Sequence, residues 1–113
     1  ITTNEAFRKH MEPGAAPWKK RLTALRALHN AGCKTWVSIE PFPTPNIVRQ
    51  DLQVLLEEVS FVDRIIFGRM NYSTEVTAYT QHKQFFNDMA MEVIGFCNAR
   101  GISYHIKEGT IKE

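Results

Sequence analysis

The sequence is poor in most of what marks a familiar site. No apolar run comes near the ~18 residues of a membrane-spanning helix, and the start has no signal-peptide layout. The only two cysteines, Cys33 and Cys97, form no metal-spaced pair, so a reduced, cytoplasmic setting is expected. His10, His29 and His82 lie far apart, and none has a metal-ligand partner three or four residues on. The six glycines make no phosphate-cradling loop, and no Ser/His/Asp order or Cys/His cluster is present. Charge is equally quiet. Fourteen Lys and Arg against twelve Asp and Glu leave a net +2, too small an excess to call for nucleic acid without clustering.

What is present reads as an ordinary globular α/β chain. With 43% hydrophobic and 23% charged residues over 113 positions, it has enough apolar material for one core and too little length for a complete large α/β enzyme. We expect a single domain over 1–113 with a loose tail at 109–113. The chain begins at Ile1 rather than methionine, and Ile1-Thr2-Thr3 reads as the end of a strand, so a piece of a longer protein is expected.

The organising stretch is Lys34-Thr-Trp-Val-Ser-Ile-Glu-Pro-Phe42. At period two, Val37 and Ile39 share one face, while Trp36, Ser38 and Glu40 share the other. A strand is therefore expected over 34–40, with Glu40 at its carboxyl end, where α/β folds place their ligand sites. Before it, Asn4 caps a short helix over 5–10, and Pro17 starts a longer one over 17–31 with Leu22, Leu25 and Leu28 in its apolar stripe and Gly32 as its cap. After it, Pro41, Pro43 and Pro45 stiffen a loop. Asn46 is the expected cap of a helix over 47–59, in which Leu52, Leu55, Leu56 and Val59 recur at helical spacing.

The run Ile65-Ile66-Phe67 is apolar on both faces and marks a buried parallel strand over 64–68. A polar loop over 69–81 follows, then a helix over 82–100 with Phe86, Met89, Val93 and Phe96 inward, Gly101 as its cap, and a strand over 102–107. The helical crossovers call for parallel strands, in about three βα units. His105 and Lys107 share a face of the last strand, and Asn71 and Tyr72 offer hydrogen-bonding and stacking groups. The basic clusters 8–10 and 19–21 lack interleaved aromatic residues and read as solvated helix faces. From the residues alone, the result is an α/β unit with a site at its strand ends and no assigned reaction.

Ile1-Thr-Thr3, Met11-Glu-Pro-Gly14, Arg21-Leu-x-Ala-Leu-x-x-Leu-x-x-Ala-Gly32 and Thr35-Trp-Val-Ser-Ile-Glu-Pro41, taken in order, resemble the second half of a radical S-adenosylmethionine (SAM) domain of the spore photoproduct lyase-like, or DNA repair photolyase-like, group. Ile65-Ile-Phe-Gly-Arg-x-Asn-Tyr72 and His105-Ile-Lys-Glu-Gly-Thr110 extend the likeness over nearly the whole chain. The resemblance implies half of a TIM-like (βα) barrel. It also implies SAM contacts from Thr2 and Thr3, from Ser38, Ile39 and Glu40, and from the backbone of Phe67, Gly68 and Arg69. The C-x3-C-x2-C loop that holds the [4Fe-4S] cluster of such enzymes is missing, as is the stretch that holds the SAM amino group. The full-length protein is thus expected to use SAM and a [4Fe-4S] cluster, and this chain alone to retain neither and to be inactive. The partners implied are the missing N-terminal half of the barrel or, without it, a second copy paired edge to edge. Nucleic acid enters only through the resemblance. Two other readings stand beside it: a non-radical barrel fragment that binds a phosphorylated metabolite, and a non-catalytic α/β binding module.

Overall fold

A computed structural model describes residues 2, 4–11, 13–70 and 74–112, with every side chain among them except that of His10. Their elements run α1 (Glu5–Met11), α2 (Trp18–Asn30), β1 (Trp36–Phe42), α3 (Leu52–Glu58), β2 (Arg64–Arg69), α4 (Thr74–Ala78), α5 (His82–Arg100) and β3 (Ser103–Ile106). The three strands form one sheet in the order β1-β2-β3, and both pairings are parallel. The fold is mixed α/β. No helix of the described residues is long and apolar enough to cross a membrane.

Local chemistry accounts for most of the boundaries. Asn4 caps α1, its Oδ1 accepting the Phe7 N–H at 2.9 Å. Glu5 serves both of the first two helices: one carboxylate oxygen accepts the Trp18 N–H at the start of α2 (3.1 Å), and the other accepts from Arg8 Nε (2.8 Å). The Trp18 N–H is also the main cause that holds the Glu5 carboxyl below its ordinary value. Pro17 stands one place outside α2, as its N-cap, rather than as its first residue. At the far end Gly32 has φ +90, the Gly32 N–H donates to His29 O and the Cys33 N–H donates to Leu28 O. This pair of bonds closes the helix and needs the left-handed conformation that glycine adopts without a Cβ clash.

Several expectations change. The strand β1 starts and ends two residues later than the period-two reading placed it, running through Pro41 to Phe42. An edge strand tolerates the missing proline N–H, and pairing with β2 slips between Ile39 and Phe42. The helix α3 begins at Leu52 rather than at 47, because Asp51, not Asn46, caps it by accepting the Gln53 and Val54 N–H groups. Asn46 instead accepts from the Thr44 hydroxyl and donates to Glu75 O. The expected loop over 69–81 contains α4. Leu28, expected in the apolar stripe of α2, is 52% exposed. Residues 109–112 are held rather than loose: Thr110 is buried, its hydroxyl accepts the Arg69 N–H, and Asn87 bonds the Lys112 backbone in both directions. The strand end expected at Ile1–Thr3 falls mostly outside the described residues, and Thr2 itself is not in a strand. Asn71 and Tyr72, and a pairing of Glu12 with Arg21, also lie outside what is described.

The core lies on one side of the sheet. Val37, Ile39, Ile65 and Phe67 are buried against Leu52, Leu55 and Leu56 of α3 and Phe86, Ala90, Val93 and Phe96 of α5, with Leu22 and Phe7 joining from α2 and α1. The opposite face is open. Paired residues of parallel strands point the same way, so Trp36, Ser38 and Glu40 share that face with Arg64, Ile66 and Gly68 and with Ser103, His105 and Lys107. Trp36 is 60% exposed, and Ile66 is only half-buried although its run is apolar on both faces.

Asp63 fastens the amino ends of all three strands. Its carboxylate accepts the Thr35 N–H (2.7 Å), its own N–H donates to Thr35 O (3.0 Å), and its carbonyl accepts the Ser103 N–H (3.1 Å). The Thr35 N–H is the leading cause that holds the Asp63 carboxyl below its ordinary value of 3.8, with His29 adding to it. A folded value below the unfolded one contributes stability above the unfolded value, and that contribution disappears as pH falls through the folded value. In urea unfolding, the stability gap between the parent and Asp63→Asn should therefore shrink between about pH 5 and about pH 3. A gap that stays constant over that range would refute the clamp.

Candidate functional site

The carboxyl ends of the strands bring Glu40, Gly68 and Lys107 together on the open face. Glu40 comes from β1, where alternation turns it away from the core. Gly68 comes from the next-to-last position of β2. Lys107 lies one residue beyond β3, yet its N–H still donates to Phe67 O at 2.8 Å, which continues the ladder and carries the side chain to the same face. Lys107 Nζ lies 3.4 Å from Glu40 Oε1, with the two side chains 47% and 36% exposed.

Gly68 has no side chain between them, and the space is tight. A methyl group there would meet Glu40 Oε2 at 2.5 Å, Lys107 Cγ at 3.1 Å and Glu40 Cβ at 3.2 Å. The bare backbone of β2 is therefore framed by a carboxylate on one side and an ammonium on the other. The two side chains fill the space over Gly68, and both are exposed enough to swing aside. A flat group can then lie against the bare backbone, with the Glu40 carboxylate able to accept from hydroxyl or amino groups and Lys107 able to meet an anion. Ser38, half-buried, lies two residues before Glu40 on the same face, and His105 two residues before Lys107.

The other residues expected at the site are placed differently. Ile39 and Phe67 are 1% and 0% exposed, with side chains in the core, so only their backbone can meet a ligand. The Phe67 carbonyl is already engaged by Lys107. Arg69 sends its side chain to the helix-covered side, where Nη2 donates to His82 Nδ1 at 3.0 Å. The Thr2 hydroxyl accepts the Asn4 N–H and donates to Gln50 Oε1, which commits it to the loop before α3. Thr3 lies outside the described residues.

Among the described residues, no group of three or more His, Cys, Asp or Glu is placed to hold a metal ion. Cys33 is exposed in the turn before β1, and Cys97 is buried in α5 with its thiol pushed up by burial. Hollows of about 450 and about 200 Å³ share Arg49, Gln50 and Phe85 in their walls, but neither touches Glu40, Gly68 or Lys107. The cradle is an open sheet face and becomes a cavity only when something covers it.

Sequence reasoning left Lys107 between strand face and frayed end, and missed Asp63 and Thr110. The period-two register of the three strands, read together, pairs Lys107 with Glu40; nothing local to Asp63 or Thr110 marks them.

No family model matches the sequence, and no solved structure matches it. Among curated proteins, the chain is similar to "Uncharacterized protein ORF301" of Acidianus two-tailed virus, at 37% identity over 75 residues, which is 61% of this chain and 25% of the relative. The chain spans about a quarter of the length of that relative.

The Glu40–Lys107 pair is too exposed to matter much for stability, since ion pairs in solvent contribute at most about 1 kcal/mol. A double-mutant cycle with Glu40→Gln and Lys107→Met should give a coupling below about 1 kcal/mol. A coupling of several kcal/mol would make the pair a structural strut and remove it as a candidate site.

Proposed function

We propose that this chain is the carboxyl-terminal half of a radical SAM barrel, with its open sheet face turned to the barrel interior. The winding supports this reading. The strands follow one another in sequence, and α3 and α5, which connect them, cover the same face. A barrel requires that arrangement, whereas a doubly wound sheet has helices on both faces. The parallel edges of β1 and β3 then meet the missing N-terminal half or, in its absence, a second copy of the chain edge to edge.

The observation that carries the proposal is the cradle at Gly68. Once Glu40 and Lys107 swing off Gly68, the lack of a Cβ lets the nucleoside of SAM lie against the backbone of β2, and Glu40 accepts hydrogen bonds from the ribose hydroxyls or faces the positive sulfonium. Ser38 adds a hydroxyl on the same face, while Ile39, Phe67 and Arg69 contribute backbone alone. Thr2 and Thr3 complete the SAM contacts only if the chain before α1 turns toward the strand ends. The described residues do not fit an iron–sulfur cluster: Cys33 and Cys97 lie on opposite sides of β1 in the chain, one exposed and one buried, with no third ligand beside either. The cluster residues are therefore assigned to the missing half. The activity proposed for the full-length protein is reductive cleavage of SAM with abstraction of hydrogen from a substrate, nucleic acid being the class that the resemblance suggests. No step of that chemistry is assigned to the residues of this chain.

Equilibrium dialysis of SAM against the full-length protein tests the cradle. Gly68→Val and Glu40→Gln should each weaken binding by about tenfold or more, a loss of about 1.4 kcal/mol, with iron content unchanged. Binding equal to the parent's in both variants would remove SAM from this face. A reading frame upstream of Ile1 without a C-x3-C-x2-C triplet would remove the radical chemistry and leave a barrel fragment.

A further inference from the structure

Arg69 ends β2 with its guanidinium buried under the start of α5. The residue is 5% exposed, its guanidinium lies 4.6 Å from the centre of the Phe86 ring, and Nη2 donates to His82 Nδ1. Its Nε and Nη1, which carry three of the five N–H donors of the group, are buried with no partner among the described residues. Arg8 is the internal contrast: it is buried to the same degree, but Glu5 accepts from its Nε and Ala15 O from its Nη1. Among the described residues no carboxylate forms an ion pair with Arg69.

Among the described residues, the charges that act on the His82 ring beside Arg69 are all positive. The His82 imidazole is held below its ordinary value first by burial and then by Arg69, Lys83 and Lys112. The helix α5 is 19 residues long, and Gln81 at its N-cap makes no side-chain hydrogen bond, so the positive end of the helix dipole faces the same region uncapped. A desolvated guanidinium with unmet donors is unfavourable until an anion meets it, and the start of a helix is a ready place for one.

We infer that Arg69, the first turn of α5, Lys83 and Lys112 form a binding site for a phosphate-type oxyanion. A phosphate suits this site better than a carboxylate. After engaging one edge of the guanidinium it keeps further oxygens for the lysines and the helix N–H groups, and its double charge balances Arg69 together with the lysines. Nε and Nη1 are covered, so the anion enters where the half-buried His82 ring forms the lip of the site. The site is on the helix-covered side, across the sheet from Gly68, and does not depend on the SAM reading.

The test is a titration followed by ¹H–¹⁵N NMR at the Arg69 side-chain Nε–H, using inorganic phosphate, then glycerol 3-phosphate, with acetate as the monoanionic control. Saturable shifts with a midpoint of about millimolar are expected for phosphate, about tenfold tighter than for acetate. Tighter binding of glycerol 3-phosphate than of inorganic phosphate identifies a phosphorylated ligand, and the reverse identifies the free anion. Lys83→Gln with Lys112→Gln, both on the surface, should weaken phosphate several-fold while leaving the spectrum folded, and Arg69→Gln should abolish the binding. A linear drift without saturation in the parent overturns the site. So does phosphate binding that is unchanged by the double lysine variant. Neither result bears on SAM dialysis at Gly68, so the two readings fail separately.

Discussion

Parallel strands cannot be joined by a hairpin, and this constraint shapes the molecule. Each return to the amino end of the sheet needs a crossover long enough to hold a helix. Here α3 and α5 both return over the same face and bury Ile39, Ile65 and Phe67 beneath Leu55, Leu56, Phe86 and Val93. Among the described residues, no helix is left for the other side. The open face, with Trp36 and Ile66 uncovered between polar neighbours, follows directly from that economy.

What the sequence made legible follows the strength of its periodicity. The apolar spacing of Leu52, Leu55, Leu56 and Val59 identified an inward face correctly, and α5 begins at His82 and ends at Arg100 as read, because its end at Gly101 carries a residue free to turn left-handed. The strand faces were legible too, since alternation at 36–40 left only one way to bury Val37 and Ile39. The boundaries that moved did so where two cues competed. Asn46 and Asp51 are both good caps, and the prolines between 41 and 45 do not say which is used; the bond from Asn46 to Glu75 O, 29 residues on, takes it out of the contest. Tertiary contacts of that range have no local trace.

The same holds at the strand ends. Glu40 was readable as a carboxylate on the face turned away from Val37 and Ile39, because only its own strand decides that. Its relation to Lys107 depends on the register of three strands and on an absent side chain at Gly68. Arg69 illustrates the opposite case. Its neighbour in sequence faces the cradle, and alternation therefore turns Arg69 away from it, into a buried region where Nη2 meets His82 and, among the described residues, nothing meets Nε and Nη1. Two chemically different environments thus arise from consecutive residues of one strand, separated by the thickness of the sheet.

The clamp at Asp63 gives the fold an asymmetry. One aspartate, with side chain and backbone together, joins the amino ends of three strands through three hydrogen bonds. At the carboxyl ends, backbone bonds from Met70 to Phe42 and from Lys107 to Phe67 hold the strands, and the only side-chain link described across the open face is the exposed Glu40–Lys107 pair. The sheet therefore resembles a fan whose handle is riveted by a side chain and whose rim is held by backbone alone, apart from one exposed ion pair. Selection can replace residues along the rim without loosening the rivet, so the chemistry at the strand ends is free to diverge while the scaffold beneath it stays the same.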